Sequence, residues 1–508
     1  MRLFYLFCLL LVCAPFTVPA QSLPQTQQIP GRLVFKLKPQ YKAFAAGNTI
    51  QLEKLSDALA ALQASAPEQK FPKSSAPEGV KGAVDLTLVY QITFPESQDL
   101  EKARKLLIQT GLLEYAETLR NYPPLYQPND PLADSVSGGQ YYLKNIKAYR
   151  GWDFSKGDTN IVIGILDQGV KFTHKDLARN IKYNYADPID GIDNDGDGYI
   201  DNFRGWDLAE NDNDPSNYPF GDHGVLVSGI ASGSADNGTG LAGVGFNCKF
   251  LPIKVYANTT SGHNAHYEGI VYAADHGCHV INLSWGGAAP FSFFEQDVIN
   301  YAVFNKNAVV VAAAGNTRAK LDFFPSSYQN VLSVATLDAA NEISYQTTHS
   351  YHADLSAPGI NILTTYVNHD SSYISVSGSS FAAPMVSGAA GLVKHKFPQF
   401  NARQIMEQLR VTADASIYSL PGNAGFQGLL GYGLLDVAKA LSTTNAKSVR
   451  FTEVVNSKGS NTSAGDTLDL TVTFQNFLEP LTNLNVTVTS ASANATVLQG
   501  TYAAGAMA

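Results

Sequence analysis

Ile161-Val162-Ile163-Gly164-Ile165-Leu166-Asp167 is an unbroken apolar run that stops on a carboxylate. A strand with one wet face alternates apolar and polar side chains. A strand covered on both faces has no reason to alternate, so this run reads as an inner strand of a sheet with helices on either side. Similar runs follow at Leu251-Pro252-Ile253-Lys254-Val255, Val280-Ile281-Asn282-Leu283-Ser284, Val309-Val310-Val311-Ala312-Ala313 and Val331-Leu332-Ser333-Val334-Ala335. Helical stretches at 269–275 and 294–305 supply the crossovers that parallel strands require. The fold class is therefore α/β, a mostly parallel sheet covered by helices on both faces. In such sheets ligands bind beyond the carboxyl ends of the strands, so the residues just after each run matter most.

Asp167 follows the first run directly, and Asn316 follows the fourth in Ala313-Ala314-Gly315-Asn316. Two further stretches carry reactive side chains. In Gly221-Asp222-His223-Gly224-Val225-Leu226-Val227-Ser228-Gly229 a loop becomes a helix of small residues. In Val376-Ser377-Gly378-Ser379-Ser380-Phe381-Ala382-Ala383-Pro384-Met385 a small-residue turn runs into an apolar segment, residues 381–393, interrupted by Gly388 and Gly391. That segment almost lacks a polar face and reads as a thin helix buried on all sides. A serine at its mouth has backbone N–H groups and the positive end of the helix dipole beside it.

Taken singly, each motif has an ordinary structural explanation, such as a helix cap, a core histidine or a tight turn. Together, Asp167, His223, Ser380 and Asn316 supply a carboxylate, a base, a nucleophile and an amide donor. A serine hydroxyl attacks poorly until a base takes its proton. The base needs a carboxylate to fix its tautomer, and the oxyanion that forms needs hydrogen-bond donors.

With these four motifs in this order, residues 128–441 resemble the subtilisin-like serine proteases. The resemblance implies that Asp167 orients His223, that His223 is general base and acid, and that Ser380 attacks to give an acyl-enzyme. It implies that Asn316 and the Ser380 N–H bind the oxyanion, and that the substrates are polypeptides. Asn282-Leu283-Ser284-Trp285-Gly286-Gly287 is similar to the segment that pairs with substrate as an added strand. By the same resemblance Ser284, Trp285 and Gly286 on one side, and Ala313, Ala314 and Gly315 on the other, wall the pocket for the residue before the cut. Phe323 and Phe324 would reach its floor. The family's usual Thr-His-Val-Ala-Gly after the histidine and glycine is here Val225-Leu226-Val227-Ser228-Gly229, and Phe381 replaces the usual methionine. The first departure implies altered packing near His223, and the second is another packing change. An esterase of another fold would need a Gly-x-Ser-x-Gly elbow with its serine first. A catalytically inactive, calcium-dependent binding or adhesion protein on the same fold is the remaining alternative.

A second dense signal is Asp190-Gly191-Ile192-Asp193-Asn194-Asp195-Gly196-Asp197-Gly198-Tyr199-Ile200-Asp201. Alternating carboxylates with glycines for tight turning suit a hard cation. Asp193, Asp195, Asp197, the Tyr199 carbonyl and Asp201 are the expected Ca²⁺ ligands, with Asp207, Asp212 and Asp214 as further candidates. The loop is no EF-hand, because it lacks a glutamate at the twelfth position. Nothing in the sequence calls for an organic cofactor.

The 508 residues allow several domains, and the net charge of −9 gives no electrostatic reason to expect nucleic acid. Residues 1–20 read as a secretory signal peptide and no segment reads as a membrane span, which predicts a secreted or cell-surface protein. Residues 21–127 alternate strand and helix, with strands at 32–37, 86–94 and 114–117 and helices at 51–63 and 100–110. By position they resemble the family's prosegment, which inhibits its own enzyme in cis, with a cut expected between 119 and 129. The peptidase would span 128–444. Residues 445–508 alternate at 467–474 and 485–489, like the start of a β-sandwich. In an oxidising compartment Cys248 and Cys278 fit either a disulfide or two buried thiols.

Overall fold

A computed structural model describes residues 27–507 apart from 75–82, 122–125, 135, 138, 217–220, 260–261, 460 and 491–492. The expected signal peptide and the middle of the expected cut region lie outside the described residues. The chain forms two compact units that divide at residues 125 and 126.

The first unit is a four-stranded antiparallel sheet in the order Glu68–Gln69, Val89–Thr93, Gln27–Leu37, Leu113–Asn121. Leu33, Phe35 and Leu37 point to one face and are wholly buried, as their period of two requires. Helices Glu53–Ala61 and Leu100–Gln109 contribute Leu55 and Leu107 to the same core. The strand expected at 86–94 starts late. The Asp85 carboxylate accepts the Thr87 N–H and hydroxyl, which curls Leu86–Leu88 into a 3₁₀ turn. The strand expected at 114–117 is longer because it pairs with Gln27–Leu37 from Gln27 to Leu37.

The second unit is built on seven parallel strands. Across the sheet they run Leu355–Pro358, Val331–Leu337, Val309–Ala313, Val280–Leu283, Val162–Asp167, Lys249–Lys254 and Trp206–Asp207. After Lys249–Lys254 the chain crosses to the other side of Val162–Asp167. The strand order therefore reverses at the strand that ends in Asp167, which opens a crevice at its carboxyl end. The two edge strands were not expected. One has two residues, too few for a period, and the other, Leu-Ser-Ala-Pro, is short and ends on a proline. The edge strand at 206–207 also explains a charge inside an apolar run. Lys254 is buried because Asp207 reaches its ammonium at 2.7 Å.

The apolar segment after the serines is a helix, Ser379–Lys396, with residues 381–393 all buried. It packs against the histidine-bearing helix, His223–Ser232, and the inner strands. Cys248 and Cys278 are free and buried. Burial pushes the Cys248 thiol up to about 12 and raises the Cys278 thiol as well, as in unreactive core residues. Four strands, not two, form the carboxyl-terminal part: hairpins Val449–Asn456 with Leu470–Asn476 and Leu481–Thr487 with Thr501–Met507. The first hairpin is tied to helix Ala402–Thr412, where buried Glu407 accepts from Arg410, Ser448 and Arg450. Among the described residues no helix is long and apolar enough to cross a membrane.

Candidate active site

Sheet order alone brings three of the marked segments side by side, because Asp167, Ser284 and the Gly315-Asn316 turn follow the carboxyl ends of adjacent strands. His223 arrives from the first turn of its own helix. That helix starts close to Asp167 because residue 224 is glycine. A Cβ there would lie 2.3 Å from the Gly169 carbonyl and 3.1 Å from the Asp167 Cβ. Both Asp167 carboxylate oxygens stand 2.9 Å from His223 Nδ1, so that nitrogen carries the proton and Nε2 is left as the base. Burial opposes charging of the ring, but the charge and hydrogen bond of Asp167 outweigh it and raise the His223 pKa above its ordinary value.

Ser380 lies in the first turn of the buried helix, where N–H groups have no helical partner. Its hydroxyl donates to the Ser284 carbonyl at 3.0 Å, and the Ser284 hydroxyl donates to the Ser380 carbonyl at 2.8 Å. The second bond has a covalent cause. Pro384 sits four residues on and has no N–H to give, so the Ser380 carbonyl is free for Ser284. Ser284 is itself held by the Asn282 amide at 2.9 Å, and Asn282 accepts from the Ser387 hydroxyl at 2.8 Å. Asn316 accepts the Ser379 N–H on Oδ1 at 2.7 Å, which leaves its NH₂ as the end available to an oxyanion. His223, Ser284, Asn316, Ser379 and Ser380 line one cleft of about 430 Å³ with Gln168, Tyr256, Trp285, Gly286, Ala313, Gly315 and Phe323.

The departures near the histidine are packing changes. Ser228 bonds back to the Gly224 carbonyl at 2.7 Å, and Thr364 and Thr365 bind the carbonyls of Leu226 and Val225. Phe381 is buried with its ring centroid 5.6 Å from that of His223.

A profile of the Subtilase family matches residues 158–433, more than half of the chain. The chain belongs to the subtilase family. It is a serine-type endopeptidase. Among its relatives is the thermophilic serine proteinase of Bacillus sp. (strain AK1), 33% identical over 317 residues, covering 62% of this chain and 71% of the relative. Thermitase of Thermoactinomyces vulgaris is 38% identical over 269 residues, covering 53% of this chain and 85% of thermitase. A solved protease from Pseudoalteromonas arctica PAMC 21717 superposes with a TM-score of 0.50 at 28% identity, covering 62% of this chain and 99% of that one.

In this subtilase the acidic loop gathers only part of its expected ligand set. Carboxylate oxygens of Asp193, Asp195 and Asp197 lie within 4.8 Å of one another. Asp201 instead caps the Asp190 and Gly191 N–H groups, and the Tyr199 carbonyl accepts the Asn202 N–H at 3.3 Å. Asp207 is committed to Lys254, and Asp212 caps Asp214. Three convergent carboxylates, with the His276 ring on Asp197 at 2.8 Å, fit a hard divalent cation. Sequence reasoning missed Pro384, Asn282 and Ser387 as supports of the nucleophile. The signal for Pro384 was present, since a proline inside a helix always frees a carbonyl.

Proposed function

We propose that this subtilase is a secreted endopeptidase in which Asp167, His223 and Ser380 act as a triad and Asn316 as the oxyanion donor. The observation that carries the reading is the two-oxygen contact of Asp167 with His223 Nδ1 at 2.9 Å, beside a serine in the first turn of a buried helix. In the free enzyme the Ser380 hydroxyl donates to the Ser284 carbonyl. For attack the hydroxyl turns to His223 Nε2, which takes the proton as Oγ bonds to the substrate carbonyl carbon. The Asn316 NH₂ and the Ser380 N–H receive the negative oxygen. His223 then returns the proton to the leaving amine, and water, deprotonated by the same ring, releases the acyl group.

The substrate backbone is read by Ser284–Gly286 on one side and Ala313–Gly315 on the other, with Trp285 held by its indole bond to the Leu166 carbonyl at 3.0 Å. Residues 1–20 direct export, and 21–127 form a prosegment that inhibits in cis and is removed by the enzyme itself. Its separate core supports an independent folding unit. The peptidase domain is 128–444, followed by a β-rich domain from 445. Ca²⁺ is held by Asp193, Asp195 and Asp197 and steadies the loop without entering the reaction.

A fluorophosphonate probe, which labels only an activated serine, tests the assignment. It should label the wild type and not Ser380→Ala. That variant should lose about 10⁶ in turnover, the order known for this family's own serine, and accumulate as uncut precursor. Labelling of Ser380→Ala, or no labelling of the wild type, would overturn the reading, and the second result would favour a binding protein on a protease fold.

A further inference from the structure

The two walls of the pocket for the residue before the scissile bond each carry a glycine, Gly286 and Gly315. The space between them is already occupied. A Cβ built on Gly286 would lie 2.6 Å from Cε1 of Phe323, and one built on Gly315 would lie 2.8 Å from Cδ2 of the same ring. These atoms belong to opposite edges of the phenyl group. The ring therefore stands as a wedge with one edge against each wall.

The wedge is anchored through its backbone. The Phe323 N–H donates to Ser327 Oγ at 3.0 Å, and its carbonyl accepts from Ser326 Oγ at 2.6 Å and from the Ser327 N–H at 2.9 Å. The next residue, Phe324, exchanges two backbone hydrogen bonds with Gly287, at 2.8 and 2.9 Å, which ties the Phe323 segment to the end of the Gly286 wall. The Phe324 ring packs on Tyr328 with centroids 4.5 Å apart. With its main chain fixed on both sides, Phe323 can leave the slot only by rotating its own side chain.

We propose that Phe323 is the specificity-determining residue of this endopeptidase, and that its ring restricts the residue before the cut to alanine, serine or glycine. The proposal rests on the reading of Ser284–Gly286 and Ala313–Gly315 as the substrate walls. An aromatic or long aliphatic side chain would have to share the slot with the phenyl ring, and overpacking of an apolar site is unfavourable. A methyl or hydroxymethyl group needs only the space above the wedge. The polypeptides cut fastest are then those with a small residue before the scissile bond.

The test compares kcat/KM for two peptides that differ only in having Ala or Phe before the scissile bond. One methylene too many or too few in a pocket shifts such ratios by roughly 10–200-fold, so a ring against a filled slot should favour Ala by about 100-fold or more. Phe323→Gly should move the ratio toward Phe by at least the same factor, with Phe323→Leu between the two. The ratio is taken within one preparation, so it does not depend on the fraction of enzyme that is folded. Wild-type enzyme that cleaves after Phe as fast as after Ala overturns the proposal, and so does a ratio unmoved by Phe323→Gly. Enzyme that takes the fluorophosphonate label but prefers large residues refutes only the role of Phe323. Enzyme that takes no label refutes the site itself, and this proposal with it.

Discussion

The corner that holds Asp167 and His223 and the acidic loop at 190–201 both concentrate carboxylates, and they are built in opposite ways. Asp167 is fixed by a buried strand and meets a partner brought from another element, two oxygens against one ring nitrogen at 2.9 Å. In the loop, Asp193 accepts the N–H groups of Gly196, Asp197 and Gly198, and Asp197 accepts that of Tyr199. The loop thus holds its shape by local hydrogen bonds while its like charges stay close and largely exposed. The corner stands on packing that does not depend on its charge. The loop depends on how its charge is balanced. Changes in the corner should therefore appear in the rate, and changes in the loop in stability.

The largest effect should come from Asp167→Asn. It should cost about 10⁴ in turnover, the order known for the triad carboxylate in serine proteases of this kind, with little change in thermal midpoint. The pH profile gives the sharper reading. With His223 as the proposed base, activity needs the neutral ring, and the His223 pKa is raised, so kcat/KM should fall as pH drops through a value above about 6.5. In Asp167→Asn the raising charge is gone and that limb should move to lower pH. A limb that stays in place would mean that a different group titrates. The same raised pKa contributes stability below the ordinary histidine range, and this contribution is lost as pH rises through the raised value.

Asn316→Ala should lose about 10²–10³ in turnover, again the order known for this family's amide donor, with KM nearly unchanged. As the proposed oxyanion donor, the Asn316 amide meets the oxygen only once that oxygen is charged. A loss confined to KM would assign Asn316 to ground-state binding and weaken the contrast between corner and loop.

The smallest effect on chemistry should come from the loop. A cation that binds only the native state stabilises it by about 2.7 kcal/mol at a hundredfold excess over its dissociation constant. EGTA should lower the thermal midpoint of the inhibited enzyme, and Ca²⁺ should restore it better than Mg²⁺, which demands a stricter octahedron. In Asp195→Ala with Asp197→Ala the midpoint should no longer respond to either addition, while turnover per labelled serine stays close to normal. Because Asp197 also pairs with His276, the decisive reading is the lost response to calcium, not the lower midpoint. A wild-type midpoint indifferent to EGTA and Ca²⁺ would leave a loop closed by hydrogen bonds alone.

Much of the fold was legible because its signals are local. An unbroken apolar run such as Ile161-Val162-Ile163 needs two covering layers whatever its neighbours are, and the thin helix after Ser380 needs burial on all sides. The four site motifs were legible for a related reason, since they stand just past strand ends or at helix mouths. What escaped was short or depended on a distant partner. Trp206–Asp207 has no period to read, and it is a strand only because Lys249–Lys254 lies beside it. Asp201 was counted as a ligand because spacing cannot show which way a carboxylate turns, and it turns to cap Asp190 and Gly191.

By itself, then, the sequence determined the elements, the layer class and the chemical types gathered near the strand ends, because period and residue type act over a few neighbours. The tertiary structure decided which of those groups meet. It set Ser284 on the carbonyl that Pro384 leaves free, kept Cys248 and Cys278 as separate thiols, and placed the Phe323 ring between Gly286 and Gly315. Ser284 meets Ser380, and Phe323 meets Gly286, from segments well apart in the chain, and the order of strands in the sheet helps bring them within reach of one another.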